Sequence, residues 1–277
     1  MSDNTFKLML AGQALIEQPV AVTTTAASRL AAKIGAADMA ASNFEGTLGA
    51  PHAWPLKTKT LHVATPEALA SLRKLGFGAL ALANNHAFDL GPPALAATRL
   101  QAQACGFSVA GSGEDSAAAG APALLSASGV RVALLAFDLG PQPDIVYAGE
   151  HKPGINPLRI RNALVLPVDD AARLAAIAKA CGYEARMKRR LQVGYSDAPP
   201  GDSLDFFGIA VKTGAAIAEE RHPDPHDLAR ALASIRSARS AADLVIVSAH
   251  QHHWDANWAA TPAWLSALAA TLVDAGA

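Results

Sequence analysis

Three short polar clusters hold the residue types that do chemistry: Ser42-Asn43-Phe44-Glu45-Gly46, Asn84-Asn85-His86-Ala87-Phe88-Asp89, and His250-Gln251-His252-His253-Trp254-Asp255. Each follows an apolar, strand-like run. In open α/β sheets ligands bind beyond the C-terminal ends of the strands, so polar groups from separate segments can converge there. Together His, Asn and Glu supply the mixed nitrogen and oxygen donors that Zn, Mn and Fe accept, whereas Mg and Ca prefer oxygen alone. Alternation along an extended chain places His250 and His252 on one side. Taken singly, each cluster also has a plainer reading. Asn-Asn-His is a common turn with a satisfied histidine, and a histidine run can simply end a strand. His52, His62, His151, His222 and His226 fall in loops or at helix starts and read as surface residues.

The elements that must position these clusters follow from local punctuation. Phe6 to Ala11 is a strand ending at Gly12, Ala26 to Ile34 a helix, and Ala37 to Ser42 a second strand, followed by a long loop from Asn43 to Thr65. Thr65-Pro66-Glu67 caps a helix that runs to Lys74 and stops at Gly76, and Ala79 to Ala83 is a buried strand. Gly91-Pro92-Pro93 opens a helix through Ala104, and Phe107 to Ala110 is again a strand. This βαβα alternation predicts a largely parallel sheet covered by helices. Leu124 to Ser126 and Val130 to Phe137 flank Ser128-Gly129 as a hairpin, which adds a second sheet.

Between about 138 and 214 the alternation lapses and predicts an insertion with its own helix from Asp169 to about Arg190. Its cationic end, Arg186 to Arg190, is either a solvated last turn that suits the helix dipole or a contact for an anionic substrate. Leu204 to Val211 reads as a strand, Asp227 to Ala238 as a helix, Leu244 to Ala249 as a strand and Pro262 to Asp274 as a helix. A parallel pattern then calls for one more strand, so the C-terminal strands of the domain are expected to be absent from this chain.

The 277 residues suffice for one large domain, and an apolar fraction of 51% against 17% charged residues argues against disorder. With 23 Lys and Arg against 24 Asp and Glu, the net charge of −1 does not mark a nucleic-acid binder. Cys105 and Cys181 stand alone, which excludes a disulfide framework and a CxxC zinc module. No apolar run spans a membrane or forms a signal-peptide core, so a cytoplasmic location is expected.

The run Ala79 to Gly91 with its Asn84-Asn85-His86 and Asp89, Gly111-Ser112-Gly113 beyond it, Asn43-Phe44-Glu45-Gly46, Val247 to His250 and the closing Leu272 to Ala277 resemble, in order, the landmarks of the CapA family of poly-γ-glutamate capsule biosynthesis proteins. That resemblance covers the chain apart from the insertion. It implies an α/β, two-sheet αββα sandwich of the metallo-dependent phosphatase (calcineurin-like) type, as a single domain over 1–277. It further implies one or two divalent ions (Mn, Fe or Zn) held by Glu45, Asn85, His250, and with less support Gln13 and His252. His86 would be the catalytic acid. Asn43 and Asn84 are expected to contact substrate, and Arg186 and Arg189, in the insertion outside the resemblance, offer cations for its carboxylates. Gln13 departs from the family pattern, which has an Asp after the first strand's glycine. The implied function is metal-dependent hydrolysis of an anionic capsular polymer, with a phosphoesterase acting on a small phosphate ester and a non-catalytic polymer-binding scaffold as alternatives.

Overall fold

The computed structural model describes residues 5–58, 60–195 and 204–277, which form two compact units: Met1–Arg159 with Pro225–Ala277, and Ile160–Asp224. Residues 138–159 therefore run with the first unit. The class is mixed α/β, with several sheets and helices.

In chain order the first unit begins with β1 (Leu8–Ala14), α1 (Thr25–Gly35), β2 (Met39–Phe44), β3 (Thr47–Leu48), β4 (Val63–Ala64), α2 (Pro66–Leu75), β5 (Ala79–Ala81), α3 (Gly91–Ala104) and β6 (Ser108–Ala110). The helix starts follow from side-chain caps: the Thr24 hydroxyl accepts the Ala27 N–H, and the Thr65 hydroxyl accepts that of Ala68 ahead of Pro66. Gly76 stops α2 at φ 110°, a left-handed conformation that costs glycine little. The loop expected from Asn43 to Thr65 contains a short ladder of its own, since β3 and β4 pair in parallel. β1, β2, β5 and β6 form a four-stranded parallel sheet in that order.

The unit continues through β7 (Ser112–Gly113), α4 (Ser116–Gly120), β8 (Ala123–Ala127), β9 (Val130–Asp138) and β10 (Gly154–Ile155). Ser128 and Gly129, both at positive φ, make the tight turn of the β8–β9 hairpin.

The second unit holds β11 (Ile160–Leu166), α5 (Val168–Ala180), α6 (Tyr183–Gln192), β12 (Leu204–Phe206), β13 (Ile209–Thr213) and β14 (Ala218–Pro223), its sheet ordered β12-β13-β11-β14. Two expectations are corrected here. The single helix over 169–190 is two helices, because Gly182 takes a left-handed conformation at φ 67° and ends the first. The strand over 204–211 is a hairpin, turned by Phe207 and Gly208 at φ 54° and 88°.

The chain returns to the first unit with α7 (Pro225–Ala241), β15 (Leu244–His250) and α8 (Ala263–Asp274). β15 adds in parallel to β9, giving a second sheet in the order β15-β9-β8. One apolar cluster packs Leu80 and Leu82 against Ile34, Leu69, Leu72 and Ala102 of the flanking helices. Another joins the two sheets: Ala41, Ala79 and Ala81 on one side meet Val132, Leu134 and Ala136 on the other. Each fully buried leucine contributes roughly 1.5–3 kcal/mol. The spacing between these layers is tight at Gly111, where an added Cβ would lie 2.7 Å from the Ala83 methyl and 2.8 Å from that of Ala136. Among the described residues no helix is long and apolar enough to cross a membrane.

Candidate metal centre

Parallel pairing brings the polar clusters to one edge of their sheets. Gln13 stands opposite Asn43 in the β1–β2 register, Asn43 opposite Ala81 in β2–β5, and His250 opposite Asp138 in β15–β9. Asn84 ties the first two clusters together. Its amide donates to Asn43 Oδ1 at 3.0 Å and to the Phe44 carbonyl at 2.7 Å, and its own oxygen accepts the His86 N–H at 3.1 Å. Asn84, the expected substrate contact, is fully buried and makes these internal bonds.

His86 is buried between two carboxylates. Its Nδ1 lies 2.7 Å from Asp89 Oδ2, and its Nε2 lies 3.9 Å from Glu45 Oε1. Asp89 is enclosed completely, takes the His62 N–H at 3.0 Å and pairs through Oδ1 with Lys57 Nζ at 2.7 Å. Lys57 also donates to the Asn85 carbonyl. Burial pushes the Asp89 carboxyl up, but hydrogen bonds from His86, Lys57 and the His62 N–H outweigh it and hold it below the ordinary range. Glu45 goes the other way. Burial raises its carboxyl despite the neighbouring His86, His62 and Lys57.

Opposite His86, the side chains of Glu45, His250 and His252 place one donor atom each within 4.8 Å of one another, the one such group among the described residues. The Asn85 oxygen joins them, 2.8 Å from His250 Nε2, and the two Nε2 atoms of His250 and His252 are 3.1 Å apart. His253 faces away and meets the Leu139 carbonyl at 3.0 Å, as alternation along an extended segment requires. Burial depresses His250 to about 4, with His252 beside it adding to the effect, and burial lowers His252 as well. Both imidazoles are therefore neutral near pH 7 and offer lone pairs. Glu45 Oε2 is buried with no hydrogen-bond partner. A buried carboxylate with an unpartnered oxygen, grouped with two neutral imidazoles and an amide oxygen, fits a borderline divalent ion such as Zn, Mn or Fe.

The remaining sequence candidates divide. Gln13 and Asn43 line a cavity of about 330 Å³ that also reaches Ser42, Ser248 and His250. Arg186 and Arg189 lie on α6, in the second unit.

Several residues of the site escaped sequence reasoning. His62, expected at the surface, sits with its ring edge-on to His86 at 4.2 Å. Lys57 arrives from the same long loop, whose length was the one signal of its use. Asp138 closes β9 opposite His250 and is fully buried. Its Oδ1 accepts the Tyr147 hydroxyl at 3.0 Å and the Gly140 N–H at 2.9 Å, while Oδ2 has no partner. Burial pushes the Asp138 carboxyl up to about 7 and also raises the Tyr147 hydroxyl. A polar residue after the apolar run Leu134 to Phe137 was the same signal that marked the other clusters.

Fold and site thus define a mixed α/β protein with a buried histidine, carboxylate and amide cluster at the C-terminal ends of parallel strands. The chain belongs to the family described as bacterial capsule synthesis protein PGA_cap, whose sequence model matches residues 7–277. It is 30% identical over 225 residues to each of two proteins of Sinorhizobium fredii (strain NBRC 101917 / NGR234), uncharacterized proteins y4sH and y4uA. The match covers 78% of this chain and 46% of either relative, so the chain spans about half the length of the curated relatives it matches.

Proposed function

We propose that this protein is a metal-dependent hydrolase acting on an anionic capsular polymer, on a two-sheet sandwich of the metallo-dependent phosphatase type. The observation that carries the reading is the convergence of Glu45, Asn85, His250 and His252 beside the His86–Asp89 pair. The apolar cluster shared by the two sheets supports the sandwich. Glu45, Asn85, His250 and His252 would hold the ion. A divalent ion bound there supplies a Lewis acid that activates water and offsets negative charge as it develops.

The chain's own residues do the rest. Asp89 holds the His86 ring by Nδ1, so Nε2 is directed to the Glu45 side, where it can deliver a proton to a leaving group. Lys57 offsets the charge of Asp89, and Asn84 fixes the backbone from which Asn85 and His86 project.

Elemental analysis of protein purified without chelator, alongside His250→Ala, tests this reading. Near-stoichiometric Zn, Mn or Fe that is lost in the variant, with chain scission of poly-γ-glutamate by the wild type, supports it. Turnover of a small phosphate ester alone would make the protein a phosphoesterase. A folded protein without metal would make it a binding scaffold, the outcome favoured by the neutral Gln13.

A further inference from the structure

The segment from Leu56 to His62 is fastened at both ends to one residue. The Leu56 N–H meets the Asp89 carbonyl at 2.8 Å, the His62 N–H meets Asp89 Oδ2 at 3.0 Å, and Lys57 Nζ pairs with Asp89 Oδ1 at 2.7 Å. Between these anchors Leu56, Lys57, Thr58 and Thr60 wall a depression of about 480 Å³, and Asn85 and His86 complete its lining. A group seated there borders an ion ligand and the acid of the proposed site at once.

The hydrogen-bonding groups on this wall are only partly used. An ammonium has three hydrogens to donate, and Lys57 commits two, to Asp89 and to the Asn85 carbonyl. Among the described residues no hydrogen bond engages the hydroxyl of Thr58 or of Thr60. Thr60 also holds φ at 56°, a left-handed conformation that a β-branched residue adopts only against its own preference.

We infer that this depression is a subsite for a hydroxylated unit of the substrate, a sugar or polyol, held by Lys57, Thr58 and Thr60 beside Leu56. Hydroxyl groups both donate and accept, as the two threonines do, and their oxygens accept from an ammonium. The charge of Lys57 is already balanced by the Asp89 carboxylate, so Lys57 gives a carboxylate little net attraction. A wholly apolar group would strip water from these donors and leave them unpaired. Leu56, 42% exposed, offers an apolar surface for the C–H face of such a unit. Because His86 shares the same wall, the unit falls on the leaving side of the scissile bond. That placement rests on the hydrolytic reading above, whereas recognition of the hydroxyls does not.

The test is NMR of the full chain with labelled threonine methyls, in chelator so that no ion takes part. Methyl glucoside and sorbitol are titrated, with glutarate and butanol as the carboxylate and apolar controls. At least one hydroxylated probe should shift the Thr58 and Thr60 methyls saturably while the controls leave them in place. Larger shifts from glutarate or butanol would overturn the class of ligand, and no shift from any probe would overturn the subsite. Thr58→Val keeps the shape of the side chain, removes its hydroxyl and should weaken binding, read at Thr60, by about fivefold. Unchanged binding would remove Thr58 from the subsite. Thr60→Gly should raise the denaturation midpoint and weaken binding together, because glycine accepts this φ and has no hydroxyl. A change in the midpoint alone would make Thr60 merely structural and overturn its role. Hydrolysis measured separately with added metal keeps the two readings apart: saturable shifts without hydrolysis sink only the hydrolase, and hydrolysis without shifts sinks only the subsite.

Discussion

Asp89 Oδ2 lies 2.7 Å from His86 Nδ1 inside protein that excludes solvent from the carboxylate entirely. A buried carboxylate on one imidazole nitrogen sets the ring's orientation and leaves the other nitrogen for chemistry. Asp89→Asn is therefore expected to cut hydrolysis by about a hundredfold while leaving metal content unchanged. Rate and bound metal measured on the same preparation separate the two effects, and a parallel loss of metal would place Asp89 among the residues that build the ion site.

Gln13, the penultimate residue of β1, pairs with Asn43, and both line the cavity that reaches His250. An amide oxygen can coordinate a cation but brings no charge. Gln13→Asp should raise affinity for Mn or Zn by about tenfold or more, read by competition with a chromogenic chelator. Unchanged affinity would put the β1 terminus outside the ion's reach.

The sign of the pH dependence at Asp138 is opposite to that of most carboxylates. Burial pushes its folded value up to about 7, from 3.8. The folded protein then binds more protons than the unfolded chain between these values, so stability declines as pH rises through that window and levels off above it. At about 1.4 kcal/mol per unit the decline is at most about 4 kcal/mol. Asp138→Asn should remove it, and the difference between variant and wild type in urea denaturation should grow from pH 4 to pH 8. A constant difference would mean that Asp138 ionises as it does in the unfolded chain.

At Gly111 a methyl group has nowhere to go, since φ is 92° and the Ala83 and Ala136 methyls are already within contact. Gly111→Ala should cost about 2–4 kcal/mol in chemical denaturation. A loss within experimental error would show that the layers can part.

Local signals account for what the sequence made legible. Thr65-Pro66, Gly76 and Gly91-Pro92-Pro93 mark helix ends by their own backbone preferences, so the alternation up to Ala110 could be read directly. The polar clusters were visible because strand ends are where an apolar run stops. Lys57 and His62 were not, because tertiary hydrogen bonds set their loop's path: the Trp54 N–H reaches the Leu90 carbonyl at 3.1 Å and that of Leu56 the Asp89 carbonyl at 2.8 Å. The break at Gly182 was hidden for a different reason. A single glycine is tolerated within a helical pattern, and its left-handed conformation leaves no mark on hydrophobic periodicity.

The second unit begins and ends on neighbouring strands, with Ile160 opposite Pro223 at one end of the β11–β14 ladder. Partners across such a ladder lie only about 5 Å apart. The chain therefore leaves the first unit and comes back at nearly the same point. A segment with that geometry behaves as a cassette. It can lengthen or shrink without rerouting α7 and β15, so the strand that supplies His250 keeps its course whatever the cassette carries.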